Sequence, residues 1–199
     1  MSAVDLLINY ISRSSYITIF VLIWLSFYFI ITFGVLIGRY FYLNSWLKIE
    51  RNSLESMLMG AKNVRDDSVL RKCTSRFSIS ANLLNVCKSV AEKNSTNSLW
   101  MLSMIASTSP FIGLFGTVVS ILDTFSGLGQ SGSASLGVIA PAISEALIAT
   151  ATGIFVAIPA YSVHLFLKRK AYEVVIIVQR EIDLLLSYDK KPPKDTDKI

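Results

Sequence analysis

Four stretches of this chain carry no charged residue, and they constrain the fold more than any other feature of the sequence. They cover residues 14–38, 94–122, 124–144 and 146–167. A single acidic residue, Glu145, separates the last two. Because a helix needs about 20 apolar residues to cross a bilayer, the stretches predict three membrane helices, with the last two stretches joined into one. The predicted helices span 16–38, 98–124 and 136–167.

The composition agrees with an all-α membrane protein and argues against a soluble domain. Hydrophobic residues make up 52% of the 199 residues and charged residues only 17%, far from the usual balance of a soluble protein. The net charge of +5 does not indicate nucleic-acid binding, because the basic residues are concentrated beside the apolar stretches. The N-terminus lacks a basic segment, and the apolar run from Tyr16 is too long for a cleaved signal peptide.

The distribution of lysine and arginine predicts how the chain is oriented. Residues 39–97 contain ten of them and residues 168–199 contain eight, whereas residues 1–15 contain one and the Gly/Ser-rich segment 125–135 contains none. Basic residues accumulate on the cytoplasmic side of a membrane. We therefore expect the N-terminal segment and the turn at 125–135 to lie outside, and the two basic segments to lie in the cytoplasm.

Both cytoplasmic segments are predicted to contain helix. Within the first segment, 39–97, apolar residues recur at spacings of three and four in LKIERNSLESMLMGAKNV and RFSISANLLNVCKSVAEK, which is the helical pattern. The second segment, 168–199, is expected to begin with a helix. Residues 168–170 are placed to contact anionic headgroups, and the terminal KKPPKDTDKI is typical of a disordered tail. Cys73 and Cys87 lie fourteen residues apart in a charged segment. We expect free thiols in a reducing compartment there rather than a disulfide or a metal site.

The second predicted membrane helix contains residues that affect helix geometry. Pro110 removes a backbone hydrogen bond and is expected to kink or loosen the helix. Gly113 and Gly116 allow another helix to approach closely. The hydroxyl of Thr117 either bonds back to its own helix or lines a polar pathway. Asp123 is expected near the outer end, as a solvated helix-end charge or as the mouth of an ion path.

The third predicted membrane helix carries small residues on one face, at spacings of three or four. These residues are Ala142, Ala146, Ala149, Gly153, Ala157 and Ala160. Small residues on one face of a membrane helix indicate tight helix packing, so we expect a multi-helix assembly rather than an isolated three-helix bundle. Pro159 is expected to bend this helix near its cytoplasmic end.

Glu145 is the acidic residue that this apolar helix has to accommodate. An ionised carboxylate in lipid costs at least a few kcal/mol, so Glu145 should be protonated, paired or facing water inside an assembly. It then either takes part in proton movement or is an inert residue close to the outer interface. At 100° per residue, Thr152 lies about 20° from Glu145 around the helix axis and Thr150 about 140° away. One of Glu145 and Thr150 is therefore expected to face a neighbouring helix.

The sequence offers no pattern typical of an enzyme. It has neither a phosphate-binding loop nor a hydrolytic or redox motif, and we expect no cofactor. The one histidine, His164, is expected to be an interfacial residue rather than a proton relay. Any energy source would have to be an ion gradient or a partner protein.

Two segments, TSPFIGLFGTVVSIL and APAISEALIATATGIFVAIPAY, resemble the ExbB/TolQ branch of the MotA/TolQ/ExbB proton-channel family. The resemblance covers about residues 107–161. It implies a ring-shaped homopentamer in the inner membrane, with the N-terminus in the periplasm and the second and third helices around a central pore. It also implies a dimer of a single-span ExbD- or TolR-type partner in that pore, and a TonB- or TolA-type protein driven by the proton-motive force.

By position, the resemblance implies pore roles for Thr117, Glu145 and Thr150. Asp123 and Thr152 depart from the family pattern, and both add polarity to the pathway. EALIAT and GIFVAIPA resemble TolQ sequences slightly more than ExbB sequences. Two other functions compete with the proton channel as interpretations of the sequence. A non-conducting membrane scaffold is the main alternative, whereas three helices without an inverted repeat argue against a solute transporter.

Overall fold

The computed structural model describes residues 16–60, 66–74, 80–131 and 136–189, and every regular element in these ranges is helical. In chain order the helices are α1 Tyr16–Leu58, α2 Val69–Thr74, α3 Ala81–Thr96, α4 Leu99–Ser131 and α5 Leu136–Asp189. Three of them, α1, α4 and α5, are long and apolar enough to cross a membrane. For the described residues, the predictions of an all-helical fold and of three helices capable of spanning a membrane are therefore confirmed.

The long helices extend well beyond the predicted spans. The 54 residues of α5 correspond to about 80 Å of helix, whereas the hydrocarbon core of a bilayer is about 30 Å thick. Much of α5 must therefore lie outside the hydrocarbon. Helix α4 continues to Ser131, through most of the segment expected to form a turn, because glycine and serine weaken a helix without ending it. The remainder of that turn, 132–135, lies outside the described residues, as do the N-terminal segment 1–15 and the tail 190–199.

Contacts divide the chain into two compact units. The first unit comprises residues 1–36 and 100–165, and the second comprises residues 37–99 and 166–199. Each unit therefore consists of two separate segments of the chain, and α1 and α5 each contribute residues to both units.

The first unit has a small apolar core and a large apolar exterior. Its core residues are Val21, Leu25, Ile105, Val156 and Ala160. The rings of Phe29 and Phe155 stack beside this core with centroids 5.8 Å apart. Large apolar side chains on α1, α4 and α5 point outward. An exterior of this kind is suited to lipid or to other subunits.

The second unit surrounds a conventional buried core. Its fully buried residues include Leu43, Met57, Leu70, Leu84 and Val174. Ser80 caps α3, because its hydroxyl accepts a hydrogen bond from Leu83 N at 3.2 Å, which satisfies one of the unpaired amides of the first turn.

The expectation of free thiols was wrong. Cys73 on α2 and Cys87 on α3 form a disulfide, with their Cα atoms 6.0 Å apart. The fourteen-residue spacing of the two cysteines does not show whether they lie close together in the fold. They meet because α2 packs against α3.

Arg39 of α1 stabilises the C-terminal end of α3. Its Nη2 donates to the carbonyl oxygens of Asn94 at 2.9 Å and Ser95 at 2.6 Å. The last carbonyl groups of a helix have no partner within the helix, and a cation there also interacts favourably with the helix dipole. The guanidinium carbon lies 5.1 Å from the ring centroid of Tyr42, which adds a cation–π contact.

We predict that Arg39→Gln destabilises the second unit, because the carbonyls of Asn94 and Ser95 lose a charged donor. The expected loss is about 1.5 kcal/mol, at the low end for hydrogen bonds to charged groups, since the side chain is partly exposed. Thermal unfolding of the purified full-length protein in detergent measures it. Arg51→Gln, at an exposed position of the same helix, is the control. Equal melting temperatures for the two variants would show that the contact contributes nothing.

Candidate functional site

Thr117 lies at the centre of a small polar cluster inside the first unit. Its Oγ1 atom is 2.5 Å from Oγ1 of Thr150, 3.0 Å from the carbonyl oxygen of Ala146 and 3.3 Å from that of Gly113. Thr117 belongs to α4, whereas Thr150 and Ala146 belong to α5. Thr117 therefore lies within hydrogen-bonding distance of a carbonyl of its own helix and of two oxygens of α5.

The number of hydroxyl protons restricts how these bonds are made. A threonine hydroxyl has one proton to donate and can accept from others, whereas a carbonyl oxygen only accepts. The arrangement that satisfies most groups has Thr150 donating to Thr117, and Thr117 donating to Ala146 O. The two hydroxyls and the carbonyl then form a directed chain across the contact between α4 and α5.

The close approach of two glycines makes this hydroxyl contact possible. A Cβ atom added to Gly113 would lie 2.6 Å from Ala149 O and 3.1 Å from Gly153 Cα. A Cβ atom added to Gly153 would lie 2.6 Å from Ser109 O. Real Cβ atoms do not approach backbone oxygens so closely, so the backbones of α4 and α5 touch only because both residues lack a side chain.

Most of the remaining small residues are buried within the chain. Ala146, Ala149, Ala157 and Ala160 are buried, and Ala142 is half-buried. At Gly116, an added Cβ atom would lie 3.1 Å from Ala149 Cβ and 3.1 Å from Val21 Cγ1. Gly116 and Ala149 therefore extend the contact between α4 and α5 and bring it close to α1.

Glu145 and Thr152 are placed differently from Thr150. Thr150 faces Thr117 of α4, so Thr150 contacts a neighbouring helix. The hydroxyl of Thr152 instead donates to Ile148 O of its own helix at 2.8 Å. Glu145 is half-buried and directly precedes the fully buried Ala146, whose carbonyl accepts from Thr117. The acid and the hydroxyl cluster are therefore adjacent along α5 while their side chains leave it in different directions.

The prolines do not interrupt the helices. Helix α4 contains Pro110, and α5 contains Pro159 and also Pro141, which the sequence analysis did not single out. Asp123 is exposed and His164 is half-buried; neither is among the residues of the hydroxyl cluster.

Two backbone groups of this site were not predictable from side-chain patterns. Ala146 contributes its carbonyl oxygen to Thr117, and Ser109 contributes its carbonyl oxygen to the contact at Gly153. The glycine spacing predicted a close approach of helices, but it did not say which backbone atoms meet there.

Comparison with known proteins agrees with this architecture. Residues 52–180 match the sequence model described as the MotA/TolQ/ExbB proton channel family. An ExbB-like biopolymer transport protein of Helicobacter pylori is 46% identical over 187 residues, covering 92% of this chain and 98% of that protein. The ExbB protein of Salmonella typhimurium is 37% identical over 49% of this chain and 45% of its own length. The TolQ protein of Pseudomonas aeruginosa is 49% identical over 40% of this chain and 35% of its own length.

We predict that Gly113→Ala separates α4 from α5, because the new methyl group would overlap Ala149 O. Overpacking of this kind typically costs about 1–3 kcal/mol, and the Thr117–Thr150 contact should lengthen. Thermal unfolding of the purified protein measures the loss. Gly34→Ala is the matched control, since no atom lies within 4 Å of its added Cβ and alanine favours a helix by roughly 0.5–1 kcal/mol. An unchanged melting temperature for Gly113→Ala would contradict the close contact.

Proposed function

We propose that this chain, which belongs to the MotA/TolQ/ExbB proton channel family, is the pore-forming subunit of a proton-driven motor. Its family and its three apolar helices make it a multi-pass inner membrane protein. In the proposed complex the proton-motive force energises a TonB- or TolA-type protein that acts on the outer membrane. The chain acts as a channel subunit and not as an enzyme.

The hydroxyl chain across α4 and α5 is the observation that carries this proposal. A scaffold would need only the glycine and alanine contact, whereas Thr117 and Thr150 add two hydroxyl groups 2.5 Å apart to that interface. Polar groups in membrane helices are costly and commonly mark an ion pathway. The carbonyl that completes this chain belongs to Ala146, the residue directly after Glu145 in α5.

Each residue has a proposed role in proton movement. The Glu145 carboxylate accepts a proton that enters from the periplasmic side, and later releases it towards a membrane aspartate of the partner. Thr117 and Thr150 supply donors and acceptors that hold water and orient the proton beside the acid. Thr152, close to Glu145 on the helical wheel, extends the polar surface by about two turns towards the cytoplasm.

The proposed assembly is a homopentamer with two copies of an ExbD- or TolR-type single-span protein in its pore. The outward-facing apolar residues of α4 and α5, such as Phe111 and Phe155, supply surface that neighbouring subunits and lipid can cover. We place the N-terminus and the segment 125–135 in the periplasm and the two basic segments in the cytoplasm, as the distribution of lysine and arginine predicts.

Between the two branches of the family, an ExbB-type role is favoured. Relatives that cover 92% of this chain carry an ExbB-like name, whereas the TolQ protein of Pseudomonas aeruginosa matches 40% of it. The short motifs that resemble TolQ lie in the helices that both branches share, so they distinguish a TolQ-type role from an ExbB-type role only weakly.

A non-conducting scaffold is the second candidate, and the glycine contact favours it. If the chain only anchors partners, Glu145→Gln should be silent and Gly153→Leu should disrupt assembly. If the chain instead conducts protons, both Glu145→Gln and Gly153→Leu should impair its function.

We predict that Glu145→Gln and Thr117→Val each reduce proton flux at least tenfold while the complex still assembles. The glutamine cannot exchange a proton, and the valine keeps the shape of threonine but removes its hydroxyl. The measurement uses liposomes containing the full-length chain with the ExbD-type protein of the same genome, a trapped pH-sensitive dye and an imposed membrane potential.

Two matched variants serve as controls for this experiment. Glu173→Gln removes an acid that pairs with Arg169 on the surface, and Thr108→Val removes a hydroxyl that donates to Met104 O of its own helix. Both should conduct as the unmodified protein does. Full flux in Glu145→Gln and Thr117→Val, with intact assembly, would reject the channel and support the scaffold.

A further inference from the structure

Two carboxyl groups, those of Glu50 on α1 and Glu181 on α5, are completely buried in the second unit. Both lie outside the charge-free spans that are expected to cross the membrane. Acidic side chains are almost never fully buried unless they are paired. The surroundings of these two residues therefore have to account for two potential negative charges.

One oxygen of each carboxyl group has a clear donor. Glu50 Oε1 accepts from Trp46 Nε1 at 2.9 Å and from the backbone amide of Val69 at 2.9 Å. Glu181 Oε2 accepts a longer bond from Ser68 Oγ at 3.4 Å. Ser68 Oγ in turn accepts from the amide of Leu70 at 3.2 Å. The start of α2 is thus attached to both acids, through Val69 to one and through Ser68 to the other.

The other oxygen of each carboxyl group is buried without a partner. Glu50 Oε2 and Glu181 Oε1 receive no hydrogen bond from any described residue, and the buried hydroxyl of Ser53 also has no geometrically good partner there. Two ionised carboxylates in this position would repel each other and would leave two buried acceptors unsatisfied, both of which destabilise the folded unit.

No basic side chain in the described part of the second unit is buried beside the two acids to compensate for their charge. The charged residues that flank them on α1, α2 and α5 are all exposed. They are Lys48, Arg51, Arg71, Lys72, Arg180 and Asp183. Burial, and after it the charge of Glu50, raises the pKa of Glu181 to about 7, while the hydroxyls of Ser53 and Ser68 act in the opposite direction. A proton therefore remains on Glu181 under conditions in which a surface glutamate has lost its own.

We propose that Glu50 and Glu181 together form a proton-binding site, in which one proton bridges Glu181 Oε1 and Glu50 Oε2. That proton gives both orphaned oxygens a partner and reduces the charge of the pair from two to one. The protonated pair connects α1, α5 and the start of α2. This site lies in the second unit, whereas the residues proposed to line the pore lie in the first. The site would exist whether or not the chain conducts protons.

The proton makes the stability of the second unit depend on pH in a defined direction. A glutamate in the unfolded chain has a pKa of about 4.3, so the folded unit holds one more proton than the unfolded chain between about pH 4.3 and 7. The contribution is complete at the acidic end of this window and is lost as the pH rises through about 7. Within the window the ratio of folded to unfolded protein should fall by up to tenfold per pH unit.

The test compares the full-length protein with Glu181→Gln in detergent between pH 5 and 8. The glutamine amide donates to Glu50 permanently, as the bound proton does, so the two proteins should be similarly stable at pH 5. At pH 8 the glutamine variant should be the more stable by at least tenfold in the folded-to-unfolded ratio. Infrared spectroscopy should show a protonated carboxyl band in the unmodified protein that disappears with a midpoint near pH 7 and is missing in the variant.

Further variants make each outcome decisive. Asp183→Asn, an exposed acid on the same helix, should keep the unmodified pH profile. Glu50→Gln, which removes the repelling charge, should move the midpoint to lower pH, and it provides a second measurement if Glu181→Gln folds poorly. Glu145→Gln should leave the band unchanged, so failure of the proposed pore and failure of this site are distinguishable.

Three results would overturn the proposal. The band could persist in both Glu181→Gln and Glu50→Gln, or the unmodified protein and Glu181→Gln could have parallel pH profiles. Alternatively, the band could be absent at every pH while added Ca²⁺ raises the melting temperature, which would identify the pair as ligands of a cation.

Discussion

The contact between Gly113 and Gly153 is the interaction on which the arrangement of the first unit depends. In a bilayer, burying apolar surface between helices gains little, because lipid is equally apolar, so helices associate through close packing and polar contacts. The two glycines allow the backbones of α4 and α5 to touch. Thr117 and Thr150, about one turn away on their respective helices, then come within hydrogen-bonding distance. Without that approach the hydroxyls would be separated by lipid or by side chains.

Much of this architecture could be predicted from charge and residue size. Charge-free stretches locate membrane helices because the cost of placing a charge in hydrocarbon is large and independent of the fold. The glycine spacing likewise predicted a close contact, since the absence of a Cβ atom has few other uses within a membrane helix. The first signal arises from the cost of placing a charge in the lipid bilayer, and the second from the size of individual residues. Neither requires knowledge of which distant residues meet, so one sequence is enough to detect them.

The features that sequence reasoning missed arise from contacts between distant residues. Cys73 and Cys87 were expected to be free, because their spacing does not reveal that α2 lies against α3. Glu50 and Glu181 are 131 positions apart, and each alone resembles an ordinary acid on a helix with exposed charged neighbours. The extension of α4 to Ser131 was missed for another reason: glycine and serine lower helix propensity by an amount that neighbouring turns can offset.

The glycine contact also constrains how this protein can change over time. In most buried interfaces a residue that grows can be accommodated when the residue opposite it shrinks, so paired substitutions keep the total volume nearly constant. Here both opposing residues are already glycine, and their immediate neighbours are backbone atoms, Ala149 O on one side and Ser109 O on the other. No smaller residue exists to compensate for a substitution at either position. Neither glycine can therefore be replaced with a compensating substitution at the other. A lineage that loses one of them has to change how α4 and α5 pack together.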